Sequence, residues 1–577
     1  MEIKGRLIWT LFILVFFFIL AGARLGYIQV VRGEQYARMA MAGETLEVSL
    51  EDYSRGQVLD RNLQPLTGTY NSNRVVIFPD LLDDPDSVAS GISRATGAEF
   101  HVLRDMLSGR KPVMLPFKIT GEQSRSIEEQ GWDGVLVVPY SIRYGPRPLA
   151  VHMVGHLGRI RDLDELEHLA RANGKTYSLS DWTGRQGIEY FYERELKGQY
   201  SSGMAVLYTD AMGKRLPGLP LTVHTGLPDS CRSDVVTTID AGIQGVVESV
   251  MDRYVKKGAV VVMETSSGDI LAMASRPSYS PDPAYAERLY GDGDERFINQ
   301  SLMLFQPGSI FKVVVAVAAL SEGVADLDTR FTCLGHGDKP VRCWYGEGHG
   351  SITFAEAFAQ SCNPAFVSLG RQLGPQKIIS YARAMGLDNQ TVIGYPVAHD
   401  RRQNLDLVAG KYNLANSSVG QGPLLASPLQ ITAMVNSVAG GGLYVQPRLV
   451  REIRPSRGST VKIPAFEPVR VISPEIAARV GQLMEMVTRQ GVGRKAWVPG
   501  GGAAGKTGSA QLAESGGAVN AWFSGYGPLD KPRYTVTVLV REGVSGGETA
   551  APVFREIMEE LLKNRIQESE SRIQDSE

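Results

Sequence analysis

Three short motifs in the 577-residue chain carry side chains suited to chemistry at a carbonyl: Ser309-Ile310-Phe311-Lys312, Ser361-Cys362-Asn363 and Lys506-Thr507-Gly508. In that order they supply a serine nucleophile, a polar relay and a cationic strand edge. That is equipment for acyl transfer through a serine ester. Residues i and i+3 share a helix face, so Lys312 can set its amine beside the Ser309 hydroxyl. Apolar surroundings, Val313 to Leu320, disfavour the ammonium and make Lys312 a usable general base. The bland alternative is a helix-capping serine with a snorkelling lysine; two further motifs in the required order weigh against it. Ser459-Thr460-Val461-Lys462 fits the first pattern too, but it lies between Pro455 and Pro464 and reads as a turn or hairpin.

Positioning elements are legible around these motifs. Gln306-Pro307-Gly308 is a turn that opens a buried helix at Ser309. Near Asp234 the texture of the chain changes. Val235–Asp240 is strand-like and Ala241–Val255 helical, and Gly258–Met263 and Ile270–Ala274 form a hairpin around Thr265–Asp269. A mostly helical stretch follows to about Asn436. Strands return at Lys506–Ala510, Ala521–Tyr526 and Tyr534–Val540, and a helix covers Val553–Lys563. Strands, a helical middle, then strands predict an α+β domain with a mainly antiparallel sheet flanked by helices. Upstream, residues 47–223 are a mixture of short elements: a strand and turn at Arg55–Arg61, a helix at Leu163–Ala172, and a turn and helix at Gly184–Leu196. His152 and His156 are spaced as metal ligands, but no third ligand is nearby and ordinary polar roles are expected.

The N-terminus carries the uncharged run Leu7–Ala23, with Lys4 and Arg6 before it and Arg24 after. This is long enough to span a bilayer as a helix, and the basic flank predicts a cytoplasmic N-terminus. Ala21-Gly22-Ala23 also resembles a signal-peptidase site. An uncleaved anchor is favoured, because the run exceeds a typical signal core and amphipathic helix continues over Leu25–Met41. In both cases the bulk of the chain lies outside the cytoplasm. With a net charge of −2 and a pI near 6.5, no nucleic-acid binding is expected.

Several motifs together resemble the class B penicillin-binding proteins, the monofunctional peptidoglycan D,D-transpeptidases. Gln306–Lys312 is close to that family's nucleophile motif. Arg24–Gln29, Arg55-Gly56 with Asp60-Arg61-Asn62, Gly184–Glu189 with Leu196-Lys197-Gly198, Thr238-Ile239-Asp240 with Gln244, Gly420-Gln421-Gly422 with Ser427–Gln430, and Ala521–Tyr526 follow in family order. Ser509, where the family usually has Thr, and Asn520, where it often has His, keep hydrogen-bonding capacity. The resemblance implies an anchor (1–24), a mixed α/β pedestal of dimerisation type (25–225), a penicillin-binding transpeptidase domain with a helical subdomain (226–563) and a charged tail (564–577).

The resemblance also implies roles for these residues. Ser309 is the nucleophile, Lys312 the base, Ser361 the proton relay, and Asn363 the holder of Lys312 and of the substrate amide. Lys506 supplies positive charge, Thr507 and Ser509 bind the substrate's terminal carboxylate, and Gly508 leaves room for substrate. Backbone N–H groups of Ser309 and Ser509 form the oxyanion hole. The expected substrates are peptidoglycan stem peptides, with β-lactams as acylating inhibitors, in division, elongation or sporulation. The expected partner is a polytopic glycan polymerase, and no cofactor and no metal are expected. A serine hydrolase and an idle scaffold or β-lactam sensor are the competing readings. Cys362 could bridge to Cys343 or Cys333 as a redox switch. Cys333, His336, Cys343 and His349 offer four zinc donors, but their spacing matches no standard zinc signature.

Overall fold

The computed structural model of the protein describes residues 2–27, 45–209, 221–226, 229–289, 293–388, 390–397, 403–511 and 518–574. Two compact units are made of interleaved segments: residues 1–54, 70–143 and 200–229 in one, and 55–69, 144–199 and 230–577 in the other.

In the smaller unit, strand Tyr70–Ile77 pairs antiparallel with Val113–Met114 and Val135–Ile142. Helices Pro85–Thr96 and Phe100–Leu107 lay Val88, Ile92, Leu103 and Leu107 against Val75 and Ile77. Asp84 caps the first of them by accepting from the Asp86 and Ser87 N–H groups. The N-terminal helix Glu2–Gly26 contains the run Leu7–Ala23; among the described residues no helix is long and apolar enough to cross a membrane. The helix expected over Leu25–Met41 lies, beyond Tyr27, outside the described residues.

The larger unit is built on a five-stranded antiparallel sheet: β1 (Gly258–Glu264), β2 (Ile270–Arg276), β3 (Ala504–Gln511), β4 (Val519–Gly527) and β5 (Tyr534–Gly543), in the order β2-β1-β5-β4-β3. Strands β1, β2 and β4 are buried on both faces, and β1 and β2 accordingly read as continuous apolar runs rather than alternating ones. One face packs on α1 (Ala241–Tyr254) and α6 (Ala551–Gln574) through Val247, Met251, Phe554 and Met558 against Val536 and Val538. The other face packs on α4 (Pro428–Ala439) and α5 (Pro474–Arg489), and α2 (Lys312–Ser321) lies against α5 behind them. There the contact includes buried polar pairs: Thr432 on α4 donates to Thr537, and Thr535 donates to Asn436. Helix α6 runs past Lys563 into the charged tail, a stretch rich in good helix formers.

Strand Ser233–Thr237 belongs to a different, four-stranded sheet. It pairs antiparallel with Val450–Pro455 and parallel with Val58–Leu59, and Val461–Lys462 closes that sheet as a hairpin. Ser459–Lys462 is therefore hairpin, as its flanking prolines predict. Segments 55–69 and 144–199, assigned by sequence to the pedestal, pack with the C-terminal core. Val58, Leu66, Ile188 and Leu196 share one buried cluster with Val235, Val261 and Leu449. His152 and His156 sit in an aromatic pocket with Tyr279. Nε2 of His152 is 2.7 Å from the Arg296 carbonyl, and burial pushes both imidazoles down to about 4, leaving them neutral.

Candidate active site

Helix α2 is apolar all round, and a helix with no polar face must be buried. Every residue from Lys312 to Ala319 is fully shielded, so Lys312 has no path to water along its own helix. Its first turn tightens into a 3-10 turn, Gly308–Phe311, that presents Ser309 half-buried one turn before Lys312. Gly308 has a φ of 56°, and a Cβ there would lie 3.1 Å from the Ser509 backbone. The Ser309 turn thus lies backbone to backbone against the edge strand β3. Further bonds hold it there: Gly308 N–H donates to the Gly420 carbonyl (3.0 Å), Trp522 Nε1 to the Gln306 carbonyl (3.1 Å) and Gln421 Nε2 to the Ser509 carbonyl (3.3 Å).

Ser361 ends the turn after helix Phe354–Ala359 in the left-handed region, with φ 56°, a conformation that costs a non-glycine residue about 1 kcal/mol or more. That backbone turns its hydroxyl onto two lysines. Lys312 Nζ donates to the Ser361 carbonyl (2.7 Å), Ser361 Oγ (3.2 Å) and Asn363 Oδ1 (2.8 Å). Lys506 Nζ lies 3.0 Å from the same Oγ and 3.2 Å from the Thr507 carbonyl. Asn363, the first residue of α3 (Asn363–Leu373), uses its amide nitrogen to donate to the Arg342 carbonyl (2.9 Å). Burial lowers the Lys312 pKa to about 7. Burial, and then the neighbouring Lys312 charge, also pushes Lys506 well below its ordinary value. The faces of Phe366 and Phe358 lie 5.3 Å and 5.7 Å from the two nitrogens and offset part of that cost.

Strand β3 places the remaining residues. Lys506 and Thr507 are buried, and Ser509 is exposed. A Cβ on Gly508 would meet the Pro307 carbonyl at 2.5 Å, so the glycine is needed for the close packing of turn and strand as well as for a ligand. Ser509 Oγ accepts from Gly546 N–H at 3.0 Å. All eight expected residues therefore lie around one edge of the five-stranded sheet. Missed by sequence reasoning were Arg342, which holds Asn363 through its carbonyl, Gly546, and the close approach made by Gly420, a residue known from its motif alone. The glycines were visible as residues, but only the fold shows what they touch.

Cys333, Cys343 and Cys362 are thiols, and they converge with His349. His336 is exposed and not among them, so the sequence-derived donor set is corrected by one residue: Cys362 takes the place of His336.

Residues 258–559 match the penicillin binding protein transpeptidase domain, and residues 51–219 the penicillin-binding protein dimerisation domain. Stage V sporulation protein D of Bacillus subtilis (strain 168) is 29% identical over 97% of this chain and 86% of its own length. Peptidoglycan D,D-transpeptidase PbpA of Mycobacterium tuberculosis (strain ATCC 25618 / H37Rv) is 31% identical over 53% of this chain and 67% of its own. Among solved structures, the ceftriaxone acyl-enzyme of penicillin-binding protein A from M. tuberculosis aligns with a TM-score of 0.51 at 29% identity, over 57% of this chain and 80% of that one. A chain in a structure described as a peptidoglycan synthase complex coordinating polymerization and crosslinking shares the fold over 96% of this chain and 98% of its own, with a TM-score of 0.70 at 24% identity.

Proposed function

The chain belongs to the class B penicillin-binding proteins, and on that footing we propose that the Ser309 site carries out peptidoglycan D,D-transpeptidation through an acyl-enzyme. The protein cross-links stem peptides in cell-wall synthesis and is acylated by β-lactams. One observation carries the assignment of residues: Lys312 and Lys506 converge on the Ser361 hydroxyl, with Ser309 one turn before Lys312.

Neutral Lys312 takes the proton as Ser309 Oγ attacks the carbonyl of the penultimate D-Ala. The oxyanion forms between the N–H groups of Ser309 and Ser509, donors typically worth about 3 kcal/mol. Support for that pairing is the close approach of the Gly308 turn to Ser509. As the C–N bond breaks, Ser361 Oγ passes the proton from Lys312 to the departing D-Ala amine. Lys506, Thr507 and Ser509 bind the terminal carboxylate, whose charge restores the ammonium form of Lys506. The amine of a second stem then attacks the ester, its proton returns to Ser309, and the cross-link leaves. Asn363 keeps Lys312 aimed and tied to the Arg342 loop.

The same reading places the chain in the cell membrane as a single-pass protein, N-terminus cytoplasmic and catalytic domain outside. Its support is the uncharged run Leu7–Ala23 within one helix and the exposed Phe16, Phe17 and Phe18, a surface suited to lipid. A polytopic glycan polymerase is the partner, contacted through the anchor and pedestal. The test is fluorescent penicillin labelling of membranes containing wild type or Ser309→Ala, chased over hours. The expected result is a persistent label on wild type that Ser309→Ala abolishes. A quickly lost label would identify a hydrolase instead, and an equally labelled mutant would remove Ser309 from the role.

A further inference from the structure

Strand β3 lies at the edge of its sheet and pairs with β4 alone. In an antiparallel ladder the N–H and C=O of one residue point to the same side, and that side alternates along the strand. The Ser509 carbonyl meets Gln421 rather than β4, so Ser509 and, two residues before it, Thr507 face outward. Both outward carbonyls are taken by side chains. Lys506 Nζ lies 3.2 Å from that of Thr507, and Gln421 Nε2 donates to that of Ser509 at 3.3 Å. Lys506 has its place in the acyl transfer already described. Gln421 has none.

The turn that carries Gln421 is fixed. Gly420 and Gly422 flank it at φ values of 76° and 75°, and the Gln421 N–H donates to the Asn416 carbonyl at 2.9 Å. Two further bonds join this turn to the segment before Ser309: Gly308 N–H donates to the Gly420 carbonyl at 3.0 Å, and Gln306 Nε2 to the Gly422 carbonyl at 2.8 Å. Only the Gln421 side chain is left to move. Its bond to Ser509 is long for N–H···O, and among the described residues it is the only hydrogen bond that side chain makes. Ser509 is exposed and Gln421 half-buried, so the two part toward solvent without disturbing the core.

The role of Gln421 rests on the Ser309 reading, which places the scissile carbonyl oxygen on the Ser509 N–H. Two extended residues that meet in that way exchange both of their backbone hydrogen bonds. The N–H of the penultimate D-Ala then falls on the Ser509 carbonyl, the atom that Gln421 holds. We propose that the Gln421 carboxamide stands in for the donor peptide: it caps the Ser509 carbonyl in the free enzyme and gives it up to the backbone N–H of the arriving stem. The donor then joins the sheet as an outer strand. Between turnovers the cap satisfies an edge carbonyl that would otherwise be open to wrong pairing. It also weakens donor binding by the one bond that must be exchanged, and its return helps the cross-linked product to leave. An acylamido β-lactam carries the same N–H beside its reactive carbonyl and must displace Gln421 in the same way.

The test is acylation of the full chain, in solubilised membranes, by benzylpenicillin and by penicillanic acid, the same bicyclic acid without the acylamido group. Wild type is compared with Gln421→Met, which keeps the length of the side chain and loses the donor, and with Gln421→Ala. For benzylpenicillin both variants are expected to lower the concentration that gives half the limiting acylation rate by about fivefold, the scale of one exchanged hydrogen bond. Penicillanic acid is expected to gain nothing. A change of equal size with both ligands, or a lower limiting rate with both, would make Gln421 only a tie between β3 and the Ser309 turn and overturns the proposal. A crystal structure of the wild-type penicilloyl enzyme needs no variant. The acylamido N–H is expected on the Ser509 carbonyl with Gln421 Nε2 beyond hydrogen-bond distance, and Gln421 still bonded there overturns the proposal as well. Failure of the Ser309 reading shows in the labelling of Ser309→Ala, a different variant, so the two failures are told apart.

Discussion

Two lysines on one hydroxyl define the residue scale of this site. Burial disfavours both ammonium forms, and the Lys312 charge further disfavours that of Lys506, so the resting site keeps a neutral amine available. The consequence for pH follows from Lys312, lowered to about 7. Below that value its ammonium cannot accept the Ser309 proton, so β-lactam acylation should fall about tenfold per pH unit on the acid side and level off above it. Stopped-flow acylation rates across pH check this; a flat profile through pH about 7 would remove Lys312 as base. Lys312→Arg should be inactive throughout, since a guanidinium stays protonated. Ser361 provides a second prediction. Ser361→Ala and Ser361→Gly both lose the relay and should acylate on the order of 100-fold more slowly. The glycine variant should nevertheless be about 1 kcal/mol the more stable of the two in denaturant melts, because φ 56° suits it. The identity of these residues was legible in the sequence, since short motifs keep their spacing. The strain at Ser361 was not, because a serine carries no mark of its φ.

At the scale of elements, the site depends on a 3-10 turn lying flat against an edge strand. Gly420 supports that turn from behind: at φ 76° an added Cβ would fall 1.8 Å from the Gly308 carbonyl. Gly420→Ala should therefore push the turn out, costing about 2 kcal/mol or more of stability and slowing acylation at least roughly tenfold. Gly97, also at a positive φ but with open space around it, serves as the control: Gly97→Ala should cost only the backbone strain and leave acylation unchanged. Thermal melts and penicillin labelling of both variants test this. The sequence located β1, β2, β4, β5 and α1 well, because β-branched runs bounded by turns and an Asp240 cap are local signals. It could not say which strand pairs with which. The run Val235–Asp240 reads like its neighbours, yet its strand, Ser233–Thr237, joins the sheet of Val58–Leu59, a choice made by burial of Val58, Leu66 and Ile188 against it.

On the scale of the whole molecule, the larger unit draws on sequence from both sides of the expected domain boundary. Arg55 is buried between Glu189 (3.0 Å) and Glu193 (2.9 Å), and all three lie in that unit with the C-terminal core. Arg55→Leu leaves two buried carboxylates uncompensated and should cost about 3–5 kcal/mol, read as a lowered Tm, while the folded fraction still acylates at the wild-type rate. For the same reason a fragment starting at Ser230 should aggregate, since it exposes Val235 and Leu449 where Val58 and Leu196 belong. Residue type and spacing alone recorded the family, the candidate serine, the order of the motifs and the apolar N-terminal run. These are encoded locally, in residue type and spacing. Only the tertiary structure decided that Lys506 would meet a serine 145 positions away, that segments 55–69 and 144–199 would pack with the C-terminal core, and that Cys362 rather than His336 would join Cys333, Cys343 and His349. Those meetings follow from the burial of α2, the hairpin register at Cys333 and the close approach of glycine backbones, and no local spacing records them.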